Sequence, residues 1–336
     1  MQTFLHRVAI FLAIQLLIAA ALFCNSFNVP QYGLMASFED KSKLLEQHDE
    51  PSLLLVGGSN LIFGIDRGTL EQEIGLPTIN AGMPAGLGLQ FFLDLAAQHA
   101  SPGDTVLLIP EYPLLSSRIY PSEEASHELI RQSPAGWRHL LTNPGFDLKG
   151  FVDSRGLPEI AFHLQSGMRY HDAGRAQRLL DNALTPGVYS RLNFNSNGDF
   201  VGHHGEPQAE ELRDIHRRYY FFPGVFAKTT AAINKCAAAV EAKGAKMYFA
   251  YCPVPHSLYE RSIDSIDQAH KYLKEHLNIP ILHGPLEVLY PDSCFYDTSV
   301  HLNESTKFER TKVVVKGLKK QFIVVSQRKK RDAKFR

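Results

Sequence analysis

Residues 52–60 read S-L-L-L-V-G-G-S-N, and this stretch decides the fold class. Ser52 to Val56 is a short, almost wholly apolar run, the pattern of a strand buried on both faces. A Gly57-Gly58-Ser59-Asn60 turn and a helical stretch from Arg67 to Ile74 follow it. The same unit then recurs. Pro77 to Asn80 is a second strand, ending at Ala81-Gly82, and Leu87 to His99 is a helix by its apolar spacing. Thr105 to Ile109 (TVLLI) is a third strand, stopped by Pro110. Farther on come an Ala-rich helix (Lys228 to Lys243), a fourth strand (Lys246 to Tyr251) and a helix (Ser265 to Leu277). Ile279 to Leu282 is a fifth strand, and the closing helix runs from its N-cap Asn303 to about Lys320. This alternation predicts an α/β protein built on a five-stranded, mostly parallel open sheet with helices on both faces.

Two segments depart from the alternation. Tyr112 to Gly224 is too long for a plain crossover, which rarely exceeds ~15 residues without structure of its own. It reads as a cap inserted over the open end of the sheet or as a second domain; both readings set it beside the ligand crevice. At the other end, Val8 to Phe23 is apolar except for Gln15. Extended to Phe27, the run suffices at about 1.5 Å per residue to cross a ~30 Å hydrocarbon layer. A cleaved secretory signal competes, but Phe23 is a poor residue before a cleavage point and makes Cys24 a weak lipoprotein site. Residues 1–30 are therefore expected to be an uncleaved anchor, followed by a connecting helix over 31–50. Arg7 and the amino terminus precede the apolar run, and Glu39 and Asp40 follow it. The positive-inside bias then puts the N-terminus in the cytoplasm and the body outside the inner membrane.

Composition excludes several classes. Hydrophobic residues make up 44% and charged residues 21%, too apolar for a largely disordered chain. Four Cys in 336 residues do not make a disulfide framework. No C-x-x-C pair, His/Cys cluster or P-loop is present, so neither a metal nor a nucleotide cofactor is expected, nor a nucleic-acid partner.

Reactive groups of an open α/β sheet gather beyond the carboxyl ends of its strands. Three loops there carry unusual residues. Gly57-Gly58-Ser59-Asn60 offers Ser59 near a helix N-terminus, although an isolated G-G-S-N reads better as a plain N-cap. The Asn80 to Gly86 loop has Gly82, whose N–H can face the crevice. Between the fifth strand and the last helix, Asp297 and His301 lie close together, where local hydrogen bonding is the bland alternative. Taken together, these residues are the parts of one chemistry. A serine hydroxyl needs a base to take its proton, a carboxylate orients the imidazole, and backbone amides stabilise the oxyanion.

With Ser early and Asp and His late, the chain resembles the SGNH/GDSL hydrolase superfamily over Pro51 to Ile109 and Lys228 to Lys320. The resemblance implies a three-layer, SGNH/flavodoxin-like domain over 51–320 with an insert at 112–224. It also implies Ser59 as nucleophile, His301 as base, Asp297 as orienting acid, and the Ser59 and Gly82 amides as oxyanion hole. Asn60, Asn80, Glu111 and Tyr112 are the candidate substrate contacts. Two features depart from the family. Its Asp lies three residues before its His, and here the interval is four; its third block supplies an Asn, and here the place reads Pro110-Glu111-Tyr112-Pro113. With an N-terminal anchor, the chain looks most like the membrane-bound SGNH-like proteins of bacterial envelope polysaccharide systems, similar to alginate O-acetyltransferase-like and teichoic-acid D-alanylation proteins. That implies an acyl-esterase or O-acyltransferase acting on a glycan, with an acyl donor and envelope-biosynthesis partners. A non-catalytic polysaccharide-binding or scaffold protein on the same fold is the alternative.

Smaller features remain. The Asn195 to Asp199 stretch with His203-His204 reads as a solvated loop rather than a sugar or metal site, and His163 and His171 decide nothing. Cys252 and Cys294 are close enough to one end of the sheet for a disulfide outside the cytoplasm, whereas Cys236 reads as a small core residue. The balance of 35 basic and 35 acidic residues hides an asymmetry: Lys316 to Arg336 has nine basic residues and one acid, so the rest of the chain is acidic by 8. The tail over 321–336 reads as a solvated end or as a cationic segment for anionic lipid or an acidic glycan.

Overall fold

The computed structural model describes residues 1–26, 31–142, 157–168, 181, 186–195 and 198–334. His171 lies outside them, as do Ser196 and Asn197 of the Asn-rich stretch. In chain order the elements are α1 (Gln2–Ser26), α2 (Phe38–Gln47), β1 (Leu53–Gly57), α3 (Ser59–Gly64), α4 (Arg67–Ile74), β2 (Thr78–Asn80), α5 (Gly88–His99) and β3 (Thr105–Ile109). Next come α6 (Tyr112–Ser116), α7 (Glu123–Gln132), α8 (Pro134–Thr142), α9 (Leu157–Met168), α10 (Pro223–Ala242), β4 (Lys246–Phe249) and β5 (Val254–Pro255). The chain closes with α11 (His256–His276), β6 (Leu289–Tyr290) and α12 (Glu304–Lys334).

The chain divides into two compact units. One comprises Met1–Glu39 and His127–Asn193, the other Asp40–Ser126 and Phe194–Arg336. The predicted insert is therefore split: its middle belongs with the N-terminal helix and its ends with the sheet. α1 is long and apolar enough to cross a membrane, by length and composition.

The second unit holds a four-stranded parallel sheet in the order β2-β1-β3-β4. Every residue of β1, β2 and β3 is buried, so both faces of the sheet are covered. α5 packs on β1 and on α10, α10 packs on β4, and α12 packs on α3 and α4. The expected fifth strand reduces to one parallel bridge, Phe249 to Ile281. Pro280 explains this: its carbonyl accepts from the Phe249 N–H at 3.0 Å, but it has no N–H to return, so the ladder does not extend. A separate two-residue ladder joins β5 to β6. Two helices exceed their expected limits. α11 begins at His256 directly after β5, and α12 continues through the basic tail to Lys334 rather than ending near Lys320.

Register sets what meets at the top of the sheet. β1 and β3 pair residue for residue from Leu53↔Thr105 to Gly57↔Ile109, so both strands end at one level. The loops that leave them, Gly58-Ser59 and Pro110-Glu111, emerge side by side where the strand order reverses direction, the usual ligand position of an open sheet. Gly57 is needed for this approach, because a Cβ there would lie 2.2 Å from the Ile109 carbonyl oxygen. Gly57→Ala is expected to lower unfolding stability by about 1–3 kcal/mol through overpacking. Gly224→Ala, in the first turn of α10 where a Cβ meets nothing within 4 Å, serves as the control and is expected to cause no loss of stability. Denaturant midpoints of the detergent-solubilised chain measure both.

Candidate active site

Ser59 is the first residue of α3, so its side chain is presented at the top of β1 with Gly58 as N-cap. His301 comes from the loop before α12. That loop is tied by an antiparallel bridge between Phe295 and Leu302, by the Tyr296 N–H to the His301 carbonyl at 2.7 Å, and by the His301 N–H to Thr298 Oγ1 at 3.2 Å. The turn thus closed accommodates the interval of four residues between Asp297 and His301. His301 Nε2 lies 2.8 Å from Ser59 Oγ, and its Nδ1 lies 2.8 Å from Asp297 Oδ1. The carboxylate makes Nδ1 the nitrogen that carries the proton, which leaves Nε2 to accept one from Ser59. Asp297 and His301 are buried, whereas Ser59 is half-buried. Phe63, on α3, stacks on the imidazole at 3.9 Å between centroids and 11° between planes, which fixes the ring's plane.

Three further groups complete this cluster without having been singled out in the sequence. Arg213 pairs with Asp297 Oδ2, and its backbone N–H donates to the Asp297 carbonyl at 3.0 Å. Arg310, from α12, is fully buried and donates to both the Asn60 carbonyl and Asn60 Oδ1, each at 2.6 Å. Burial lowers its pKa to about 10. Lys41, from α2, is buried and donates to the Asn80 carbonyl at 2.6 Å. Burial lowers its pKa from 10.5 to about 7, against the opposing pull of Asp199 and Asp40.

The other sequence candidates fare unevenly. Asn60 is fully buried; its Nδ2 donates to the Ile109 carbonyl at 3.0 Å while Arg310 holds its oxygens, so it braces the turn and does not face a substrate. Asn80 is likewise committed to the chain: its Nδ2 donates to the Leu61 carbonyl at 2.9 Å and its Oδ1 accepts the Gly82 N–H at 3.0 Å. The Gly82 amide, expected to face an oxyanion, therefore points at Asn80; glycine is required there because a Cβ would lie 2.6 Å from Leu61 Cβ. Tyr112 is buried in a stack with Tyr219 and Tyr251, and its hydroxyl has no partner among the described residues. Glu111 does reach the site. One of its oxygens accepts from Ser59 Oγ and from the Asn60 N–H, both at 3.0 Å, and Gly58 makes room for it, since a Cβ there would lie 2.4 Å from that oxygen.

His203 is buried behind Phe63, with centroids 5.1 Å apart, and burial followed by the charges of His204, Lys307 and His301 lowers its pKa to about 3. It is a neutral aromatic wall rather than a ligand, and among the described residues no His, Cys, Asp and Glu group is arranged to hold a metal ion. Cys252 and Cys294 are free thiols; burial raises that of Cys252 to about 12. No family model matches the sequence, and no curated protein matches it.

Lys41 makes the stability of this unit pH-sensitive. Between about pH 7 and its ordinary 10.5 the unfolded chain holds a proton that the folded chain has released, so stability rises with pH across this window. Below the window both states are protonated and the full burial penalty remains. Lys41→Met is expected to flatten that rise in a series of unfolding midpoints taken from pH 7 upward, and an unchanged slope would contradict the assignment.

Proposed function

We propose that the protein is a membrane-anchored serine acyl-esterase or O-acyltransferase of SGNH-like type, working outside the cytoplasmic membrane on an acylated envelope or exopolysaccharide. The observation that carries this reading is the continuous hydrogen-bonded series from Ser59 Oγ through His301 to Asp297. Three residues from the two ends of the chain share it, and no folding requirement calls for a half-buried serine at its open end. The anchor reading is supported by α1 and by the basic charge that precedes it. The glycan and envelope setting follows from the family resemblance.

The chemistry divides into two halves. Ser59 Oγ attacks the acyl carbonyl carbon as His301 Nε2 takes its proton, and the imidazolium is stabilised by Asp297 with Arg213 behind it. The C–O bond to the sugar then breaks, His301 returns the proton to the departing hydroxyl, and an acyl-serine remains. Water or a second hydroxyl, deprotonated by His301, attacks the acyl-serine and releases Ser59. The Ser59 N–H, in the first turn of α3, has no carbonyl four residues back within its helix and is the backbone donor this reading assigns to the oxyanion.

Glu111 favours the second reading, a non-catalytic glycan-binding or scaffold protein. Its carboxylate stands against Ser59, in a block that lacks the family's Asn, and it accepts the single Ser59 proton whenever His301 does not. On the catalytic reading, Glu111 holds the resting hydroxyl and opposes the oxyanion. Glu111→Gln then raises the rate toward the factor of about 10²–10³ that one oxyanion donor contributes. Hydrolysis of a short-chain chromogenic ester by the intact protein tests this. Ser59→Ala is expected to reduce the rate to background and Asp297→Asn to lower it by about 10⁴. Equal rates in wild type and Ser59→Ala would leave the scaffold reading standing.

A further inference from the structure

The first unit has a feature that the chemistry does not use. α9 packs along the C-terminal turns of α1. On α1, Ala19, Leu22 and Phe23 are half-buried and Ser26 is buried, a stripe at the three-and-four spacing of one helix face, while Leu16 and Leu17 stay 71% and 70% exposed. A chain of hydrogen bonds secures the contact. The Trp137 indole N–H of α8 donates to His163 Nε2 at 3.2 Å, His163 Nδ1 meets Ser26 Oγ at 2.7 Å, and Ser26 donates on to the Phe23 carbonyl at 2.7 Å. The Phe23 ring lies edge-on to Trp137 at 5.3 Å. The side-chain groups of this chain are thereby paired with one another, as a low-dielectric setting demands.

Apolar side chains on the two flanks and the outer side of α9 reach the surface. Ile160 and Phe162 are each 37% exposed and Met168 is 61% exposed, and α8 adds Leu141 at 60%. The Arg131 guanidinium sits over the Phe162 ring at 5.0 Å. We infer that α9 and the end of α8 are a second membrane contact, lying in the boundary between acyl chains and headgroups of the bilayer that α1 crosses. The inference rests on the anchor reading of α1. On the span from Val8 to Phe27, at about 1.5 Å per residue, Ala19 to Ser26 occupy the last ~12 Å of a ~30 Å hydrocarbon layer, so the stretch that α9 grips lies just beneath its outer boundary. An apolar helix fixed at that depth meets lipid on its free side, and an arginine beside an aromatic ring is the pairing suited to headgroup level.

The test uses the intact chain reconstituted in vesicles. Trp137 is the lone tryptophan and is buried, so the wild type supplies the baseline to subtract, Met168→Trp adds a reporter on the outer face of α9, and Ile160→Trp gives a second position. Phosphatidylcholine brominated near the carbonyl end of its chains is expected to quench either reporter more than lipid brominated near the methyl end. Protein that floats with vesicles after carbonate washing but shows no quenching at either position would overturn the inference while leaving the anchor intact. A quenched reporter whose loss is restored by cross-linking to a second copy would point to a protein occupant and would also overturn it. Protein that fails to float would overturn the anchor reading and the inference together.

Discussion

Asn60 is the point on which the candidate site depends. It joins three elements that the chain makes far apart. Its Nδ2 donates to the end of β3 at Ile109, its backbone N–H donates to Glu111, and both its oxygens accept from Arg310 of α12. A fully buried guanidinium is costly to desolvate, and a hydrogen bond to a charged group typically contributes about 1.5–3 kcal/mol. Those bonds hold α12 to the turn carrying Ser59, and His301 enters α12 from the adjoining loop. The 2.8 Å separation of Ser59 and His301 is thus maintained from below, by a contact that touches neither residue.

Glycines complete the constraint by absence. Gly57 lets β1 approach the Ile109 carbonyl, Gly58 leaves space for Glu111, and Gly64 leaves space for Arg310, whose Nη1 lies 2.3 Å from where a Cβ would stand. The turn after β1 is therefore crowded on every side, and a side chain added at any of these positions displaces part of the site. Such crowding gives rigidity, which a relay of two hydrogen bonds requires more than it requires any single strong contact.

Much of this was legible in the residues alone, for identifiable reasons. The SLLLV and TVLLI runs are strands because uninterrupted apolar residues of that length fit a doubly covered sheet, and Ser59, Asp297 and His301 stand out because loops after strands seldom need such groups. Other features depend on contacts that local pattern does not encode. Arg310 looks like any basic residue on a closing helix, and Arg213 lies in a segment without periodicity. Lys41 sits in a polar helix where burial is unexpected. Gly82 lies in the loop after β2 that its sequence position indicates, but the direction of its N–H depends on the Asn80 side chain. The fifth strand failed on Pro280, whose missing N–H outweighed the apolar run around it. The basic tail is a continuation of α12, so its charge is carried on a helix and not on a loose end.

The central claim is that Ser59 is a nucleophile activated by His301. Incubating the detergent-solubilised chain with a fluorophosphonate and mapping the modified peptide by mass measures this directly. The account predicts a single phosphonyl adduct on Ser59, formed by the wild type and absent from His301→Ala. Failure of the folded wild type to form an adduct, or an adduct on Ser59 that forms as fast without His301, would contradict it.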